Sequence, residues 1–166
     1  MKNAFFLINT LIFMALTGCG IYTFNGSTLP SYLKTIDIPL FRNLSLEPNI
    51  ADEITTELNK KMVSDNLLRV ITERGDATLY GEVRSYLNEP YIYGTTEVRQ
   101  VNVEQYIVRV TADVDFVDNK KDHSMFKGAV TGEGIYNFAT EQESAGRQKA
   151  ISDLVRKILE KSVQSW

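Results

Sequence analysis

The chain has 166 residues, 18 of them Lys or Arg against 21 Asp or Glu, for a formal net charge of −3, and 43% of it is hydrophobic. That length suits one domain with a substantial core. No basic run offers the electrostatic footprint that nucleic acid requires, and the single cysteine excludes an internal disulfide.

The first residues read MKNAFFLINTLIFMALTGC. Lys2 is followed by an apolar run from Ala4 to Leu16, about 13 residues, short of the ~20 that a helix needs to cross a bilayer. Small residues come next. A charged start, a short apolar middle and a small-residue end describe a secretory signal peptide. The ending Leu16-Thr17-Gly18-Cys19 resembles the lipobox of bacterial lipoproteins. That resemblance implies cleavage before Cys19, diacylglycerol on its sulfur and a third acyl chain on the new amino group. The alternative is an ordinary signal peptide with an incidental cysteine nearby. A free thiol is a liability in an oxidising compartment, and acylation removes it. At about 0.8 kcal/mol per buried CH₂, several acyl chains hold a protein durably to a membrane. In lipoproteins of the enterobacterial type an Asp after the cysteine favours the inner membrane, so Gly20 points to the outer one.

Beyond the anchor, TIDIPLF (Thr35 to Phe41) is rich in branched and aromatic residues and reads as a strand, which Pro39 places at an edge or kinks. NLSLEPN makes a turn. Ile50, Ile54, Leu58 and Met62 then fall four apart, one stripe of a helix. Asp52 and Glu53 lie in its first turn, where negative charge suits the dipole, and Asn49 or Ser45 would cap it. ATLYGEVRSYL alternates Ala77, Leu79, Gly81, Val83 and Ser85 with Thr78, Tyr80, Glu82, Arg84 and Tyr86. YIVRVTADVDFV sets Tyr106, Val108, Val110, Ala112, Val114 and Phe116 on one side and Ile107, Arg109, Thr111, Asp113, Asp115 and Val117 on the other. This period of two belongs to a sheet packed on one face. After the DNKKDHS turn, MFKGAVTGEGIYNF returns as a strand, in which Gly128, Gly132 and Gly134 suggest a bulge or close approach by another backbone. Thr140 to Glu143, TEQE, has the form of a capping box. It precedes a helix with the stripe Ile151, Leu154, Val155, Ile158 and Leu159.

The order β-α-β-β-β-α gives an α+β fold, a two-layer sandwich with two helices packed on one face of a four-stranded mixed sheet. Chemistry is not visible in it. His123, the only histidine, sits in a hairpin loop without partners at ligand spacing. DVDFVDNKKD lacks the Gly and Glu of a calcium loop. The GxxxGxG of the last strand is followed by strand residues where a phosphate loop needs helix amides. No G-x-S-x-G is present. The reading is of a protein without catalytic residues, metal or cofactor.

These elements carry a resemblance to the LptE family, the lipopolysaccharide-assembly lipoproteins. It begins at Cys19, Gly20, Tyr22, Phe24, Gly26, Leu29, Pro30, Pro39, Phe41 and Asn43, continues through GDATLYGEV and EQYIVRVTADVDFVD, and closes on GEGIY and the last helix. In GIYTF an Ile stands where the family pattern has its Tyr directly after the glycine. The resemblance implies a signal peptide over 1–18, a lipidated segment over 19–34 and an LptE-like α+β domain over 35–166. It further implies an outer-membrane location, on the periplasmic side and in the lumen of LptD, the β-barrel that delivers lipopolysaccharide. Proteins of this family help the barrel assemble, plug it, and bind lipopolysaccharide.

Independently of the family, the sheet's second face bears Tyr80, Glu82, Arg84, Tyr86, Arg109, Thr111, Asp113 and Asp115. The lumen of a large outer-membrane barrel is polar, and Tyr and Arg often anchor interfaces. Tyr80, Arg84, Tyr86 and Arg109 are therefore the candidate partner contacts, with a merely solvated face as the alternative. Lipopolysaccharide phosphates ask for Lys or Arg, and Lys120, Lys121 and Lys127 form the best cluster. Two other roles remain open: a pilotin-like chaperone of another outer-membrane pore, and a stand-alone lipid-binding lipoprotein.

Overall fold

Pro39 divides what the sequence presents as one opening strand. The computed structural model, which describes residues 29–91 and 104–162, has strand β1 at Thr35–Asp37 and a second, β2, at Arg42–Asn43. The proline has no N–H to give a ladder, so Ile38 to Phe41 arches between the two. Cys19, the signal peptide and the resemblance positions Gly20, Tyr22, Phe24 and Gly26 lie outside the described residues.

Helix α1, Ile50–Ser64, follows, and the stripe Ile50, Ile54, Leu58 and Met62 is wholly buried. Neither candidate cap acts through its side chain on the helix. Asn49 stands at the N-cap with φ of 62° and makes no side-chain cap bond. Ser45 belongs to the preceding turn, which Asn43 organises. Its Oδ1 accepts the Ser45 amide at 3.0 Å and the Ser45 hydroxyl at 2.7 Å, and its Nδ2 donates to the Glu47 carbonyl at 2.8 Å.

Strand β3, Arg69–Val70, runs parallel to β1, and β4 (Ala77–Pro90), β5 (Gln105–Asp118) and β6 (His123–Asn137) form an antiparallel meander. Both β1 and β2 pair in parallel with β4. The sheet is mixed, as expected, but has six strands in place of four, ordered β3-β1-β4-β5-β6 with β2 also on β4. The additional strands are two residues long, too short for an alternation to register.

Helix α2, Glu143–Ser162, starts later than the Thr140 capping box implies. Thr140 is in a turn, its amide bonded to the Asn137 carbonyl at 3.1 Å. Glu141, not Glu143, turns back, its Oε2 accepting the Asn137 amide at 2.9 Å while its Oε1 takes the Lys149 ammonium at 2.8 Å. Satisfied in this way, the turn has no use for the box.

Two close approaches hold the layers together. A Cβ on Gly134 would stand 2.0 Å from the Gly146 carbonyl oxygen, and one on Gly132 2.2 Å from that of Ala150, so α2 lies directly on β6. Of the two meanings open for these glycines, close approach is the right one, whereas Gly128 meets nothing nearer than the Phe126 ring at 3.6 Å. At the other side Phe41 lies over Gly81, where a Cβ would be 2.0 Å from its ring, and its amide donates to Thr55 Oγ1 at 3.1 Å.

Candidate functional site

Cross-strand register fixes the open face in rows. At one end Tyr80, Asp115 and Lys127 face outward together, and next to them lie Glu82, Asp113 and Ala129. Further along come Ser85, Thr111 and Thr131, then Leu87, Arg109 and Glu133, then Glu89, Ile107 and Ile135.

Between the second and third rows the register shifts at Val83/Ser85, leaving Arg84 as an inserted residue. A bulge of this kind moves every later residue to the opposite face. Tyr86, expected on the open face, therefore pairs with Val110 and points to the helices. Its hydroxyl donates to Glu143 of α2 at 2.6 Å, and the Arg147 guanidinium lies 5.1 Å from its ring centre. Arg147 also pairs with Glu47 and, at 3.4 Å, with Glu53. Burial, then the Glu143 carboxylate, raises the Tyr86 hydroxyl far above its usual range, and burial raises Glu53. This cluster ties β4 to both helices. In exchange, the bulge turns Leu87 and Glu89 outward.

Tyr80, Arg84 and Arg109 stand on the open face as expected, and its charges satisfy one another. Arg84 Nε meets Asp113 at 2.6 Å and its Nη1 meets Glu82 at 2.7 Å, while Arg42 reaches the same Glu82 at 3.2 Å. Arg109 bridges Glu89 and Glu133, the latter at 2.8 Å. Lys127 pairs with Asp115 at 3.0 Å. Thr111 and Thr131 share a hydrogen bond of 3.0 Å.

Around the first two rows is a groove of 580 Å³, lined by Pro39, Leu40 and Tyr80 together with Arg42, Arg84 and Lys127 and their acids. Leu40 and Tyr80 are more than half exposed. Sequence reasoning counted Leu40 as strand interior and passed over Arg42. The available signal was Pro39, after which Leu40 and Arg42 alternate with the buried Phe41.

The three candidate lysines do not converge. Lys127 is on the open face, whereas Lys120 and Lys121 sit on the β5–β6 hairpin tip and clasp the chain ahead of β1. Lys120 Nζ meets Asp76 at 2.9 Å and the Tyr32 carbonyl at 2.8 Å, and Lys121 Nζ lies 4.9 Å from the Tyr32 ring centre. Beneath them Asp118 is fully buried, accepting the Tyr32 hydroxyl at 2.5 Å and the amides of Lys120 and Lys121 at 2.9 and 3.1 Å. Burial opposes its charge, but these three donors outweigh it and hold the carboxyl below its ordinary range. Asp76 is also held below its ordinary range, by the Lys120 ammonium first and then by the Lys34 amide.

Comparison with known proteins places this geometry. The family model LptE, lipopolysaccharide-assembly, matches residues 33–162. No curated protein matches the chain. Among solved structures it is similar to the hypothetical protein CT253 from Chlamydia trachomatis, 7% identical with a TM-score of 0.55 over 78% of this chain and 97% of that one. Protein XCC0632 from Xanthomonas campestris is likewise 7% identical, with a TM-score of 0.53 over 76% and 81%. A subunit of the PelC dodecamer from Paraburkholderia phytofirmans is 11% identical, with a TM-score of 0.51 over 81% and 92%. At such identities the likeness is one of fold.

Proposed function

Since the chain belongs to the LptE family of lipopolysaccharide-assembly proteins, we propose that it acts by seating its open sheet face within an LptD-like outer-membrane barrel, which it helps to assemble and plugs. Membership makes it a non-enzymatic lipoprotein of lipopolysaccharide assembly, associated with the outer membrane. The barrel partner, lipidation at Cys19 and attachment from the periplasmic side belong to the proposal.

One observation supports the seat. The charges in the rows from Tyr80 to Glu133 are answered by neighbours on the same or the next strand: Glu89–Arg109–Glu133, Arg42–Glu82–Arg84–Asp113 and Lys127–Asp115. Burying an isolated charge is expensive, and burying a paired, hydrogen-bonded one far less so. Such a face suits the polar lumen of a large barrel. Lipopolysaccharide contact fits the groove better than the hairpin tip. There Arg42, Arg84 and Lys127 stand beside Leu40 and Tyr80, cations for phosphate next to apolar surface for an acyl chain.

A mild-detergent pull-down of the tagged lipoprotein from its native envelope tests the reading, with co-purifying proteins identified by mass spectrometry. An LptD-like barrel in stoichiometric amount is expected, and Arg84→Glu or Arg109→Glu should lower its recovery while the circular dichroism spectrum stays native. A secretin in its place would make the protein a pilotin. Undiminished barrel recovery by both variants would remove the open face from the interface.

A further inference from the structure

Helix α2 caps one stretch of the sheet's outer edge and stops short of the rest. β6 is the last strand, and on its free side alternate residues turn their backbone groups outward. Lys149 Nζ donates to the Ile135 carbonyl, Asp153 Oδ2 accepts the Glu133 amide, and Lys157 Nζ donates to the Thr131 carbonyl, each at 3.0 Å. The same alternation makes Ala129 and Lys127 the next outward-facing residues. Their amides and carbonyls, with the Thr131 amide, are bonded by no group among the described residues. Beyond Lys127 the ladder slips at Phe116/Val117, and there the Ser124 hydroxyl turns to the sheet face and donates to Asp115 Oδ1 at 2.5 Å. The open window is thus Lys127 to Thr131.

Exposed edges are commonly guarded by a lysine lying over them. Lys127 does not serve that purpose, because its ammonium is drawn across the sheet face to Asp115. Gly128 and Ala129 add little bulk to keep a chain away. Donors and acceptors alternate here with a two-residue repeat of about 6.6–6.8 Å. A phosphate or carboxylate can accept from the amides but has nothing to give the two carbonyls. Another chain in β conformation answers both.

We propose that the Lys127–Thr131 edge of β6 receives an extended segment of the partner barrel as a seventh strand, held by main-chain hydrogen bonds. A second copy of the protein is a poorer occupant. Pairing antiparallel about Gly128, it would set Thr131, with Lys157 already on it, against the displaced Met125 of the other copy. The proposal rests on the barrel reading above and specifies where and how that partner is held.

Amide hydrogen exchange on the lipoprotein alone and on the detergent-extracted complex tests it. The Lys127, Ala129 and Thr131 amides should exchange at least about tenfold more slowly in the complex, while the Glu133 amide, already held by Asp153, changes little. Ala129→Pro deletes one outward N–H and no ladder bond within the sheet. It should fold normally and recover about fivefold less barrel, the effect of losing one such hydrogen bond. Recovery of barrel by the wild type, with unchanged exchange at all three amides and full recovery by the proline variant, overturns the edge proposal alone. Failure of the wild type to bring down any barrel overturns the export-subunit reading and this proposal with it. Slow exchange of these amides in the protein alone, rising with its concentration, assigns the edge to a second copy and equally overturns the proposal.

Discussion

The two faces of one sheet obey different rules. On the helix side contacts are set by volume: Phe41 occupies the space that a Cβ on Gly81 would take, and the backbone of α2 the space at Gly132 and Gly134. On the open side contacts are set by charge, with Arg84, Arg109 and Lys127 each answered by acids on neighbouring strands. Interiors pack at the density of organic crystals and cannot relax around a lost or added group. Exposed ion pairs in water are nearly neutral in free energy. Stability should therefore reside on one face, and the other is left able to exchange its partners for those of another protein.

The sharpest way to expose the difference is to empty the packed side. Phe41→Ala should lower the free energy of unfolding by about 3–5 kcal/mol, the usual consequence of truncating a buried aromatic, as measured by urea denaturation. Gly134→Ala adds a single methyl against the Gly146 carbonyl and should cost about 1–3 kcal/mol by overpacking. Wild-type stability of Gly134→Ala would mean that α2 does not rest on β6 as closely as described, and of Phe41→Ala that the ring does not pack over Gly81.

The hairpin tip lies between the extremes, because there charge is buried. Tyr32→Phe leaves the Asp118 carboxylate with two donors in place of three and should cost about 1–3 kcal/mol at neutral pH. The sign with pH follows from the depressed carboxyls of Asp118 and Asp76. Their contribution is complete above the unfolded value of about 3.9 and is lost as pH falls through the lower folded values. Wild-type stability should thus decline steeply below about pH 4, and the gap between wild type and Tyr32→Phe should close over the same interval. A gap independent of pH would show that the tyrosine acts through packing.

How much could be read in advance divides along the same line. Ile50, Ile54, Leu58 and Met62, and the alternation from Tyr106 to Phe116, declare themselves because burial on one side imposes a period. The bulge at Arg84 does not. ATLYGEVRSYL keeps its alternation straight through the inserted residue, and only pairing with Val110 shows that Tyr86 has changed sides. Lys120 and Lys121 are close to Lys127 in sequence, but Asp76, Asp118 and Tyr32, distant along the chain, decide that they turn inward. The TEQE box was a true pattern overruled by a competitor, since Glu141 found Asn137 and Lys149 first. The family match begins at residue 33, so the lipobox argument for Cys19 stands on the sequence alone.

The smallest effect is the one that tests the comparison most directly. Arg109 is the centre of the Glu89–Arg109–Glu133 row and the most enclosed basic residue of the open face, at 34% side-chain exposure. If that face contributed to folding as the helix side does, Arg109→Gln would rank with the core variants. Two carboxylates would then face each other across a neutral amide. Screening by solvent limits both what the pairs contribute and what their loss costs. The expected change is at most about 1 kcal/mol, shrinking further as salt rises from 0.05 to about 0.5 M because the Debye length contracts. Thermal unfolding of wild type and variant across that salt range measures it. A loss of about 3 kcal/mol that ignores salt, well beyond the range of exposed pairs, would mean that the row behaves as buried structure, and the contrast between a face that folds the protein and a face kept for its partner would fail at its best-defended point.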